Sequence, residues 1–102
     1  MDTTRDLFEF EIVQASVAKL LEEQPVNRQQ RRILLFLLDN PGSFTHEIRQ
    51  ACSSGHPTLR MREMANLLLA YNLRITGKAA PKSYRNKFNE HSSVHFWTIE
   101  LL

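Results

Sequence analysis

Four histidines and one cysteine hold the metal-binding and nucleophilic chemistry of this chain. His46, Cys52 and His56 fall within one short stretch, and His91 and His95 stand four apart. A zinc site needs about four ligands in a tight shell, and no paired Cys-x-x-Cys or Cys/His cluster of that kind occurs. His46 and His56 therefore read as cap or turn residues, and Cys52 as a small buried filler. The sequence has no glycine-rich phosphate loop, no nucleophile elbow and no Glu-bearing metalloprotease motif. A chain of 102 residues leaves little room for a substrate cleft, so no enzyme, metal or cofactor is expected.

A second group of residues suits recognition instead. Arginine and asparagine form paired hydrogen bonds to guanine and adenine edges, and the start of a helix lying in a groove is where they matter. Thr58, Arg60, Arg62 and Asn66 lie on one such run, 57–71, and are the candidate base readers. Arg28, Arg31, Arg32, Arg49, Lys78, Lys82, Arg85 and Lys87 are the candidate phosphate contacts. The plain alternative for both sets is a solvated polar face. Charge distribution bears on the choice. Up to Pro25, six carboxylates face Arg5 and Lys19, whereas from Val26 onward eleven cations face five carboxylates. Such a split suggests a body that faces a polyanion and a leading segment with a different task.

The elements that position these residues follow from periodicity. Residues 2–23 carry Leu7, Phe10, Val13, Val17 and Leu20 at spacings of three and four, the seam of an amphipathic helix. Phe8, Phe10 and Ile12 also alternate with Glu9 and Glu11 as a strand would, but the longer period extends further. The seam either packs on its own domain or pairs with a second copy. Gln24 and Pro25 end it. Asn27 and Gln30 form a capping box for a helix over 27–38, with Ile33, Leu34, Phe36, Leu37 and Leu38 as its apolar side. After the turn at Asn40, Pro41 and Gly42, a short helix capped by Ser43 turns Ile48 and Ala51 inward. The turn 53–56 follows, and Pro57 suits the first position of the next helix. That helix gathers Met61, Met64, Ala65, Leu68 and Tyr71 on its core stripe.

The C-terminal part reads as a hairpin. Residues 73–76 form a strand ended by Gly77, and 94–101 form another with Trp97, Ile99 and Leu101 on one face. Between them runs a long polar loop with Lys78, Lys82, Arg85 and Lys87, interleaved with Tyr84 and Phe88. The expected fold is mainly α with a C-terminal β-hairpin. Hydrophobic and charged contents of 42% and 24% fit one ordered globular domain. A lone cysteine, no apolar run of membrane-spanning length and an acidic start point to a cytoplasmic protein with no membrane partner.

Helix, helix, turn, helix and basic hairpin, in that order, resemble the winged helix-turn-helix family of DNA-binding domains from about Asn27 to the C-terminus. The local run Thr45-His-Glu-Ile48 followed by Pro57-Thr-Leu-Arg-Met-Arg-Glu-Met64 is similar to small helix-turn-helix proteins of phages and mobile elements. The resemblance implies a recognition helix over 57–71 and a wing over 73–101. It further implies double-stranded DNA as partner and a role in transcription or recombination. The dimer expected beside it rests on the spacing of the N-terminal seam. Two features depart from the family pattern: the loop between the wing strands is longer, and the helix in 1–25 lies outside the shared core in 26–102. Winged helices also serve as protein–protein modules. The acidic N-terminal helix and Glu63 on the reading face give that second expectation, an inhibitor or assembly factor that does not bind DNA.

Overall fold

The structure, a computed structural model, describes the backbone of residues 3–79 and 95–102 and the side-chain surroundings of 8–79 and 95–102. Its elements are α1 (Thr3–Glu23), α2 (Arg28–Asp39), β1 (Ser43–Phe44), α3 (Thr45–Cys52), α4 (Pro57–Glu63), α5 (Ala65–Leu69), β2 (Leu73–Ala79) and β3 (His95–Leu101).

The helical period prevails at the N-terminus, and α1 packs on α2 and β3. This placement corrects the idea of a dimer contact for Val13, Val17 and Leu20 of the seam. Val13, Val17 and Leu20 are buried in the core of the single chain, where each contributes about 1.5–3 kcal/mol by leaving water. Phe10 is 42% exposed and Phe8 62% exposed. The side chain of Leu7 lies outside the described residues.

The expected capping box opens α2. Gln30 N–H donates to Asn27 Oδ1 at 2.8 Å, and Asn27 N–H donates to Gln30 Oε1 at 3.0 Å. Ile33, Leu34, Leu37 and Leu38 are buried, and Phe36 is half-buried. Gly42 then takes φ +80°, a left-handed conformation that glycine adopts without a Cβ penalty. Its N–H donates to the Trp97 carbonyl at 2.9 Å.

That turn delivers the chain to the edge of β3, which corrects the expected helix start at Ser43. Ser43 and Phe44 instead pair antiparallel with Trp97 and Phe96 as β1, and the Phe44 and Phe96 rings lie 4.4 Å apart. The Ser43 hydroxyl donates back to the Asn40 carbonyl rather than capping α3. Glu47 accepts the Phe44 N–H at 2.8 Å, half of a capping box. On α3, Ile48 and Cys52 are buried, but Ala51 is exposed rather than inward. Ser53 adopts the left-handed conformation at the helix end. The buried Ser54 hydroxyl donates to Gln29 Oε1 at 3.3 Å, tying the turn to α2.

The helix expected over 57–71 is broken. Met64, at φ −87° and ψ −4°, separates α4 from α5, and its N–H donates to the Met61 carbonyl three residues back at 3.2 Å. Glu63, Met64 and Ala65 all favour helix, so local propensity does not explain the break. Met61, Met64 and Leu68 are nevertheless buried; Ala65 is exposed and Tyr71 half-buried. Tyr71 Oη donates to Glu23 Oε1 at 2.9 Å and accepts from Gln24 Nε2 at 3.2 Å, joining the end of α1 to the chain beyond α5.

The sheet has the order β1-β3-β2, so β1 adds a third strand to the expected hairpin. Pairing of β2 with β3 runs from Leu73 opposite Leu101 to Ala79 opposite His95. Gly77 does not end the strand but sits within it, opposite Trp97. Trp97, Ile99 and Leu101 share the core-facing side as expected, with Ile99 buried and the other two packed against the core. Residues 80–94, with Lys82, Tyr84, Arg85, Lys87 and Phe88, lie outside the described residues. Among the described residues, no helix is long and apolar enough to cross a membrane.

Candidate functional site

One side of α4 is fixed to α2. Arg60 Nη1 forms an ion pair with Glu63 at 2.8 Å, and Gln30 Nε2 donates to the same carboxylate at 3.3 Å. The Arg60 side chain is 26% exposed, and its Nε is buried without a hydrogen-bond partner. Arg62 lies about 200° further round the helix and is exposed. The two arginines therefore lie on different sides of α4. Arg60 is held against its own chain, and Arg62 is free to meet a ligand.

Thr58 and Arg62 border a small cavity of about 200 Å³ between the helices and the sheet, together with Ala65, Ile75 and Trp97. The structure thus brings two of the four expected base readers beside the core face of β2 and β3. Asn66 is exposed, but it belongs to α5. The break at Met64 means that a helical step from Arg62 no longer sets its direction.

Trp97 organises this junction. Its Nε1 donates to Thr45 Oγ1 at 2.8 Å, tying β3 to the first residue of α3. The ring lies over Gly77, where an added Cβ would stand only 2.6 Å from Cζ3. Alternation placed Trp97 on the correct face, but the bond to Thr45 and the pairing with Gly77 needed the strand register.

The cations separate into three groups. Arg28, Arg32 and Arg49 are exposed. Arg32 is close enough to the end of α3 to act on Cys52, whose thiol pKa is pushed up by burial and drawn down less strongly by that guanidinium. Arg31 is exposed too, but it lines a groove between α1 and α2 that Glu22 also lines. Gln29 and Gln30, which bond Ser54 and Glu63, occupy the side of α2 that meets the α3–α4 turn and α4. Lys78 is exposed on β2 with its Nζ 3.9 Å from Glu100, which also takes Arg74 and the Thr76 hydroxyl. Lys82, Arg85 and Lys87 fall outside the described residues.

The histidines have local surroundings. His46 stacks on Phe44 at 5.4 Å, His95 lies 6.0 Å from Trp97, and the His56 carbonyl accepts the Arg60 N–H. Among the described residues, no three His, Cys, Asp or Glu side chains group as metal ligands would. Comparison of the chain with protein-family models, curated proteins and solved structures finds no match.

Proposed function

We propose that this chain is a sequence-specific double-stranded DNA-binding protein of the winged helix-turn-helix kind, a small regulator of transcription or recombination. In this reading α4 enters the major groove and the β2–β3 ribbon follows the sugar–phosphate backbone. The observation that carries it is the exposed Arg62 bordering one cavity with Ile75 and Trp97. Arg62 on α4 thus stands beside the β2–β3 ribbon. The chain order α2, β1, α3, α4, α5, β2, β3, with β1 closing the sheet on β3, supports the same architecture, α4 and α5 together standing where one recognition helix is expected.

Arg62 is the principal base reader, with Thr58 and Asn66 beside it. Arg28, Arg32 and Arg49 hold phosphates, joined by Lys82, Arg85 and Lys87 from the segment between the strands. Arg60 positions α4 through Glu63. The test is selection of bound duplexes from a random library. An enriched motif, with retention lost steeply as salt rises, is expected. Absence of both enrichment and low-salt retention overturns the reading.

A protein-binding role has its own support. Glu63 holds Arg60, and Glu100 lies within reach of both Arg74 and Lys78, so part of the cationic surface is neutralised within the chain. Salt-insensitive capture of a protein partner, with no DNA binding at low salt, would favour that second reading.

A further inference from the structure

DNA reading gives Arg28 and Arg32 on the outward face of α2 a task but leaves Leu35 between Arg31 and Asp39 without one. Ile33, Leu34, Leu37 and Leu38 are buried, yet Leu35, in the middle of the same helix, is 44% exposed. Arg31 lies four residues before it and Asp39 four residues after it. These positions form one ridge along the helix, the i±4 row that packs helices against each other most often. All three also line a groove of about 500 Å³ between α1 and α2, with Ala18 and Leu21 on its far side. Among the described residues, neither the Arg31 nor the Asp39 side chain makes an ion pair.

We propose that this face joins two copies of the chain about a two-fold axis at Leu35. When two α2 helices cross antiparallel at that residue, each position a given distance before it meets the position the same distance after it. Arg31 of one copy then faces Asp39 of the other, and the symmetry repeats the pair on the opposite side. Each charge stands about 6 Å along the axis from the crossing point, within reach of an arginine side chain. Leu35 of each copy enters the groove of the other, toward Ala18 and Leu21. A parallel arrangement would set Arg31 on Arg31 and Asp39 on Asp39, so charge selects the antiparallel register. The same patch serves both copies, and the assembly closes at two. The contact itself uses Arg31, Leu35 and Asp39 and none of the residues assigned to phosphates.

The test is light scattering on the full-length chain, with sedimentation equilibrium at micromolar concentration. The unaltered chain should be dimeric. Arg31→Asp and Asp39→Arg should each weaken association at least tenfold, with unchanged far-ultraviolet circular dichroism spectra. Mixing the two variants should restore a dimer. In that mixed pair the introduced aspartate meets the introduced arginine on one side of the axis, and native Arg31 meets native Asp39 on the other. The double variant should also dimerise alone. A monomeric unaltered chain, single variants that dimerise as well as it does, or a mixture that stays monomeric each overturns the proposal, and the last excludes the register itself.

Discussion

Gly77→Ala sets two effects of opposite sign against each other. Replacing glycine by alanine in extended backbone usually stabilises by about 0.4–1 kcal/mol, because the unfolded chain loses freedom. Gly77 is not among the positive-φ residues, so its backbone raises no objection. The new methyl, however, would stand 2.6, 2.8 and 2.9 Å from Cζ3, Cη2 and Cε3 of Trp97. The indole cannot simply swing aside, since its Nε1 is bonded to Thr45 Oγ1 at 2.8 Å. Overpacking of this kind costs about 1–3 kcal/mol, so the clash should win and leave a net loss of about 1–2 kcal/mol. For a chain of this size that lowers Tm by about 4–8 °C per kcal/mol. Urea unfolding followed by far-ultraviolet circular dichroism measures it, with Trp97→Ala as the second arm. In the Trp97→Ala background the ring is gone, and Gly77→Ala should become neutral or stabilising. An equal penalty in both backgrounds, or stabilisation in the native one, would refute the packing argument.

Other perturbations test other parts of the account. Asn27→Ala removes the acceptor of the capping box and should cost about 1 kcal/mol in the same unfolding assay. Leu20→Ala opens the core beneath α1 and should cost about 2–5 kcal/mol, whereas Phe8→Ala should stay within about 0.5 kcal/mol; equal effects would mean that α1 is not part of the single-chain core. Burial raises the Cys52 pKa, so the folded thiol should resist alkylation at neutral pH and react fully once unfolded. The raised value also sets the sign of the pH effect. Stability is complete below the ordinary thiol pKa and declines as pH climbs through the raised one. Cys52→Ala should remove that decline from the stability–pH profile.

Periodicity and capping chemistry made much of the architecture legible. The capping box of Asn27 and Gln30, Pro57 at the opening of α4 and the alternation of Trp97, Ile99 and Leu101 each act within a few residues. What the sequence concealed depends on distant partners. Ser43 can cap a helix or pair in a strand, and only the arrival of β3 beside it decides. Gly77 reads as a strand end until the register puts an indole over it. Val13, Val17 and Leu20 have the same spacing whether their partner is α2 or another chain. At the candidate site, residue type identified Arg60 and Arg62 alike, but the Glu63 carboxylate distinguishes them. Leu35, set in the apolar run from Ile33 to Leu38, stood out only once the buried side of α2 was known.

The central claim is that Arg62 reads sequence from the groove-facing side of α4. Fluorescence anisotropy across a salt series, on a selected duplex and a scrambled one, tests it most directly with Arg62→Ala and Arg49→Ala. Arg62→Ala should cost about 1–3 kcal/mol on the selected duplex and far less on the scrambled one. Arg49→Ala should weaken both alike and flatten the salt slope by about one unit. No binding of the unaltered chain to either duplex at low salt, or an Arg62→Ala loss that is the same on both, would contradict the claim.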